Sequence, residues 1–276
     1  MAGGPEAVSS TYLDDFDAGS VRRAVRFFEP LARYHRLDVR GLEHIPDGPA
    51  LLVSNHNGGL SPVDGLFLVP FYGQRGFDSR VYVLAHDVLF RLAPMARYLA
   101  RHGIIPANHD HGDEVLRRGH RLLVFPGGDL ESMRPYRQRH RMSFNGRTGF
   151  ARLALRMGVP IVPVVSAGAH ETFVVLSQGK GIADWLSRIG LGGLRIKTMP
   201  MALALPWGLV AGPGMALPYL PLPSRIMVHI DAPIEPADFS HLAPDHAALA
   251  LASHVESRMQ HRLDALYAER RRRFFG

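Results

Sequence analysis

Two side chains set on a short glycine turn can act together on one proton: His56 and Asp64, in Ser54-Asn55-His56-Asn57-Gly58-Gly59-Leu60-Ser61-Pro62-Val63-Asp64. A carboxylate that folds back on an imidazole holds it in one tautomer and leaves the other ring nitrogen free to take a proton from a hydroxyl. The same residues also read as plain architecture. Asn57-Gly58 is a turn dipeptide, and Ser61-Pro62-Val63-Asp64 is a helix start with Ser61 as N-cap and Asp64 in the first turn. From these residues alone both readings stand.

A second group of chemical interest is Pro126-Gly127-Gly128-Asp129, at the end of the apolar run Leu122 to Phe125. Two glycines let backbone amides approach a ligand oxygen closely, as an oxyanion hole or a phosphate cradle requires. A tight strand-to-loop turn is the plain alternative. Behind it come Arg134, Arg137, Arg139, Arg141 and Arg147, interrupted by Tyr136 and Phe144. Guanidinium groups in this density suit a groove for anions better than a scattered solvated face.

Strands that alternate with helices must position these groups. Apolar runs at 37–39, 50–53, 81–84, 122–125, 159–165 and 225–230 read as strands, separated by helical patterns at 20–36, 87–101, 113–118, 150–157 and 244–269. The expectation is an α/β fold, a single domain with a mixed, largely parallel sheet flanked by helices. Its catalytic groups would then collect outside the carboxyl ends of the strands. Pro160 and Pro163 argue for an edge or a bulge in the 159–165 strand. Residues 1–19 are expected to be flexible, 20–36 to form a basic amphipathic helix suited to a core surface or a headgroup layer, and 37–269 to form the main domain.

Composition bounds the partners. The chain has 276 residues, 46% of them hydrophobic, with a formal net charge of +7, and its only lysines are Lys180 and Lys197. Charge carried by arginine points to an anionic partner such as a membrane surface, a phosphorylated substrate or nucleic acid. The absence of cysteine excludes disulfides, zinc–thiolate sites and an acyl-cysteine intermediate. No Gly-x-Ser-x-Gly elbow is present, which counts against a serine hydrolase. Residues 197–225 carry no charge between Lys197 and Arg225, yet Pro200, Pro206, Pro213, Pro218, Pro221 and Pro223 interrupt any single membrane span. They read as an apolar lip for a leaflet or an acyl chain, and 270–276 as a basic, aromatic tail. The acidic first twenty residues are not a signal peptide, so the expected location is cytoplasmic, peripheral on the inner face of a membrane.

Five blocks stand in one order: His56 to Asp64, Gly103-Ile104-Ile105-Pro106, Val124-Phe125-Pro126-Gly127-Gly128, Gly146-Arg147-Thr148-Gly149-Phe150 and Val159-Pro160-Ile161-Val162-Pro163-Val164. Over roughly residues 35–235 the chain resembles the glycerolipid acyltransferase superfamily, which includes lysophosphatidate acyltransferases and diacylglycerol acyltransferase-like enzymes. The resemblance implies that His56 is a general base, Asp64 its orienting partner, and acyl-CoA the donor for a lipid acceptor hydroxyl. It also implies no cofactor, no metal and no nucleic acid. Gly127, Gly128, Arg134 and Arg147 are the expected oxyanion and substrate contacts, and Arg137, Arg139 and Arg141 the expected donor-phosphate contacts. Much of the family spaces its pair as His-x4-Asp, whereas here Ser61 holds that aspartate's position, and the expectation is that Gly58-Gly59 loops out to return Asp64 to His56. The family's lysophosphatidate branch has Phe-Pro-Glu-Gly-Thr-Arg where this chain has Phe125-Pro126-Gly127-Gly128-Asp129-Leu130, closer to the branch that esterifies neutral alcohols.

Overall fold

A computed structural model of the chain describes residues 9–57, 62–177, 201–211 and 219–274. Seven strands form the main sheet: β1 (Asp38–Arg40), β2 (Ala50–Ser54), β3 (Val81–Ala85), β4 (Ile104–Pro106), β5 (Arg121–Val124), β6 (Ile161–Ala167) and β10 (Met227–Ile230). Their order is β1-β10-β6-β2-β5-β3-β4, parallel throughout except where β10 meets β6. This is the mixed, largely parallel sheet expected from alternating strands and helices. A second, antiparallel sheet joins β7 (Val174–Ser177), β8 (Met201–Ala204) and β9 (Gly208–Ala211).

The helices are α1 (Ser9–Asp14), α2 (Ala18–Tyr34), α3 (Leu68–Arg75), α4 (Ala93–Arg101), α5 (His109–Arg117), α6 (Gly128–Ser132), α7 (Gly149–Met157) and α8 (Pro244–Phe274). They fall into two layers, and β5 shows why. Leu122 packs beside Gly112 of α5 and Leu153 of α7, while Leu123 lines a cavity under α2 and α3. Successive strand residues face opposite sides, so α5 and α7, with α8 against them, cover one face, and α2, α3 and α4 cover the other. β2 and β6 are buried along their whole length at the centre of the core.

Four expectations change. Of the 1–19 stretch expected to be flexible, residues 1–8 lie outside the described residues, while further on Leu13 is fully buried, its carbonyl accepts from Tyr82 Oη at 2.9 Å, and Phe16 packs on the Tyr82 ring. Asp17 then caps α2, accepting from the amides of Gly19 and Ser20. The pattern over 87–101 divides into a 3-10 turn, Asp87–Phe90, and α4, whose first turn holds Pro94. β6 lies inside the sheet, between β10 and β2, despite Pro163. The missing Pro163 N–H faces the side on which β10 ends at Ile230, where the Pro163 carbonyl accepts the Asp231 amide at 2.9 Å. Finally, α8 continues past residue 269 to Phe274, so Arg270 and Arg271 belong to a helix.

Of residues 197–225, 201–211 form β8, β9 and the turn between them, 219–225 run outside any strand or helix with Leu220 bridged to Leu205, and 197–200 and 212–218 lie outside the described residues. Phe173, Val175, Ala202, Ala204 and Val210 make a small core of their own there. Among the described residues no helix is long and apolar enough to cross a membrane.

Leu52, with no exposed surface in the central β2, tests how far the site depends on this core. Leu52→Ala is expected to lower stability by about 2–5 kcal/mol in urea unfolding, through lost burial and the cavity it leaves.

Candidate active site

β2, β5 and β6 run parallel, so the segments that leave their carboxyl ends meet at one edge of the sheet. Asn55 joins two of them. Its side chain accepts from the Ser166 amide at 2.8 Å and donates to the Ser166 carbonyl at 3.0 Å, fastening the loop after β2 to β6. His56 follows, its ring tilted by 32° against that of Phe125 from the end of β5 with centroids 4.8 Å apart.

Asp64 reaches back from a 3-10 turn, Pro62–Gly65. Its carboxylate is buried and lies 2.7 Å from His56 Nδ1, 2.6 Å from the Asn57 amide and 3.0 Å from Asn57 Nδ2. A carboxylate only accepts, so Nδ1 carries the proton and Nε2 presents a lone pair. The Asp64 side chain is therefore engaged by His56 and Asn57; Gly58, Gly59 and Ser61, with the N-cap expected at Ser61, lie outside the described residues. Burial opposes charge on the imidazole. The Asp64 hydrogen bond and charge, reinforced by Glu131 and Asp129, outweigh it and raise the His56 pKa above its ordinary 6.5.

A second layer holds the backbone of this loop. Glu131, on α6, is buried and accepts from the His56 amide at 2.9 Å and the Ser143 amide at 3.3 Å. Burial pushes its carboxyl up to about 7, against the opposing pull of Arg134 and those amides. Arg134 is buried as well, and donates to the His56 carbonyl (2.7 Å), the Glu131 carbonyl (2.9 Å), Asn57 Oδ1 (2.6 Å) and the Arg139 carbonyl (3.1 Å). Beneath it His170 Nε2 donates to the Arg134 carbonyl at 2.8 Å; burial, with the Arg134 charge, pushes its pKa down to about 3 and keeps it neutral.

The structure thus redistributes the residues singled out from sequence. The Gly128 amide donates to the Phe125 carbonyl at 3.0 Å and is engaged in the turn, which removes it as an oxyanion donor. Gly127 is required by packing, because a Cβ there would overlap the Glu131 carboxylate. Arg134 faces inward as a clamp on the loop, with Nη1 and Nη2 occupied by carbonyls and Asn57 and its buried Nε left without a partner among the described residues. Arg147 donates to the Pro126 carbonyl at 2.8 Å and lies over Gly128. Arg139 lies over the Tyr136 ring and pairs with Glu171 at 3.5 Å, while Arg137 and Arg141 are exposed. The arginines do not form one groove. Glu131 escaped the sequence reading, although its place one helical turn beyond Gly127 was a usable signal.

An apolar cavity of about 330 Å³ opens onto His56 and Asp64. Val25 and Phe28 of α2, Leu68 and Val69 of α3, Tyr98 of α4 and Leu123 of β5 line it. The apolar face of the basic helix α2 is therefore a cavity wall. The 197–225 segment, read from sequence as a possible acyl-chain lining, contributes no described residue to it. Among the described residues no group of three or more His, Asp and Glu side chains is arranged to hold a metal ion.

Comparison with known proteins bears on this site. The family model described as Acyltransferase matches residues 36–167. A Mycobacterium tuberculosis protein described as uncharacterized is 32% identical over 265 residues, covering 95% of this chain and 69% of that protein. A human protein described as a DGAT1/2-independent enzyme synthesizing storage lipids is 31% identical over 157 residues, 56% of this chain and 47% of its own length. The crystal structure of the 1-acyl-sn-glycerophosphate (LPA) acyltransferase PlsC from Thermotoga maritima superimposes with a TM-score of 0.53 at 17% identity, covering 96% of this chain and 84% of that one. At that identity the likeness is one of fold.

The anchoring of His56 by Glu131 has a measurable consequence. Glu131→Ala takes the carboxylate acceptor from the part-buried amides of His56 and Ser143, at up to about 1–3 kcal/mol each. The variant is expected to lose roughly 2–5 kcal/mol in urea unfolding. Gly127→Ala, which displaces the same carboxylate, should be destabilised in the same direction.

Proposed function

The chain belongs to the acyltransferase family, and on that premise we propose that it moves a fatty acyl group from acyl-CoA to a lipid hydroxyl by general-base catalysis, without an acyl-enzyme. The observation that carries this reading is the 2.7 Å contact of His56 Nδ1 with the buried Asp64, at the mouth of an apolar cavity. The acyl chain fills the cavity and brings the thioester carbonyl to His56. Nε2 takes the proton of the acceptor hydroxyl as its oxygen attacks the carbonyl carbon. The C–S bond then breaks, and the imidazolium gives its proton to the departing thiolate. Asp64 holds the tautomer and stabilises the imidazolium between the two transfers. With the Gly128 amide engaged, the amide of Gly127 is the backbone donor for the oxyanion in this scheme.

A neutral glycerolipid alcohol is the acceptor this reading favours. Arg134, the buried guanidinium nearest His56, is occupied by the loop rather than open to an acceptor phosphate. The human relative's description as an enzyme synthesizing storage lipids agrees with a neutral acceptor. Peripheral membrane association completes the proposal. Leu203, Leu205, Trp207, Leu209 and Leu220 are 43–59% exposed on and beside the small sheet, a patch suited to a leaflet.

His56→Ala should lower kcat by about 10²–10⁴ in a labelled acyl-CoA assay against mono- and diacylglycerol, and full activity would sink the mechanism. The base works only when neutral, so kcat/KM should fall as pH drops through the raised pKa of His56, giving an acid limb above 6.5. Asp64→Asn removes the main groups that raise it, so activity should drop and the acid limb move to lower pH. In liposome flotation, Leu205→Asp together with Leu209→Asp should weaken binding by roughly tenfold or more, from the lost burial of two leucines.

A further inference from the structure

We infer that a cleft of about 750 Å³ on the far side of Arg134 from the apolar cavity, bordered by Arg36, Arg139, Arg270 and Arg271, binds the phosphate groups of the acyl donor's carrier. The inference rests on the reading of the chain as an acyl-CoA-dependent transferase, and it moves the donor site away from Arg137 and Arg141.

The cleft is built around a buried cation. The Arg270 side chain is only 11% exposed, yet its contacts are long: Glu171 at 3.6 Å and Ser224 Oγ at 3.4 Å, with the Tyr267 ring 5.9 Å below. Its Nη1 is buried and has no hydrogen-bond partner among the described residues. Glu171 is shared, since Arg139 approaches it at 3.5 Å. Two guanidinium groups on one carboxylate leave positive charge uncompensated where burial makes charge costly. The chain makes room for it: Gly168 has φ +92°, and a Cβ there would overlap Arg270 Nη1.

At the rim, Arg36 and Arg271 are exposed and have no carboxylate within ion-pair distance among the described residues. Arg225, also on the border, is paired with Asp38 at 3.0 Å. The acids of the lining are Glu171 and Asp264, and Asp264 accepts from Gln260. The balance is a preformed anion site in which several guanidinium donors can meet phosphate oxygens at once.

Position selects the donor over the acceptor. A thioester carries its acyl chain on one side of the carbonyl and its phosphorylated carrier on the other. The chain cavity ends at His56, so the carrier has to leave away from it. Arg134 marks that direction, with Nη1 on the His56 carbonyl and Nη2 on the Arg139 carbonyl, so one guanidinium links the backbone of His56 to that of Arg139 on the border of the cleft.

The test uses the full chain carrying Arg36→Ala and Arg271→Ala together, both exposed and therefore compatible with folding, which thermal unfolding checks. Calorimetric titration with CoA should show Kd rising roughly tenfold or more, the loss of one or two charge-assisted hydrogen bonds. KM for acyl-CoA should rise alike, while KM for acyl-pantetheine, which lacks the phosphates, and for the acceptor stay within about twofold. An unchanged Kd for CoA would overturn the assignment. So would a rise confined to a phosphate-bearing acceptor, or weaker flotation on anionic vesicles with CoA affinity intact, since either would make the cleft a lipid-headgroup site. CoA binding that weakens in the variant of a protein with no transferase turnover would support the cleft and sink the transferase reading alone.

Discussion

The buried carboxylate of Asp64 is the charge around which the rest of the site is arranged. It takes three donors from two consecutive residues, His56 Nδ1 and both nitrogens of Asn57, and so fixes the loop after β2 in one conformation. A carboxylate stripped of water needs such donors, because an unpaired buried charge costs several kcal/mol. The same donors orient the imidazole, so the contacts that satisfy Asp64 also aim the lone pair of Nε2. The structural role and the proposed chemical one coincide in one set of hydrogen bonds.

The loop is held equally from behind. Glu131 accepts from the amide of His56 and Arg134 donates to its carbonyl, so both backbone groups of the histidine are paired within the protein. Arg134 further ties the loop to Asn57 and Arg139. Glu131 and Arg134 each offset part of the other's desolvation, and packing has to admit them, which explains the glycine at 127. The arrangement fixes His56 from backbone and side chain together, so the ring has little freedom to reorient.

Around this frame the apolar elements take sides. The α2, α3 and α4 layer leaves a cavity that meets His56, while α5, α7 and α8 close the other face. A basic amphipathic helix thereby has two uses at once: Val25 and Phe28 line the cavity, and arginines such as Arg33 stay exposed. The uncharged stretch before Arg225 contributes the described strands β8 and β9, where leucines and Trp207 remain half exposed.

Sequence by itself determined what depends on neighbours along the chain. The apolar runs of β2, β5 and β6, the glycines that end helices at 119 and 158, and the juxtaposition of His56 with strand and turn are local signals, set by side-chain period and backbone freedom. From them the α/β class and the edge of the sheet where the site collects were legible. Tertiary structure decided which of several similar residues acts, because that depends on distance and burial across the fold. Arg134, Arg137, Arg139, Arg141 and Arg147 look alike in sequence, yet one clamps the loop, others pair or cover a turn, and two face solvent. Glu131 emerged only when the 127–131 turn met the amide of His56, and Pro163 proved compatible with an inner strand only because β10 ends beside it. Arg270 read as part of a charged tail until α8 carried it into a pocket made by Gly168. Each of these is a contact between segments distant in the chain, and local propensity carries no information about such a distance.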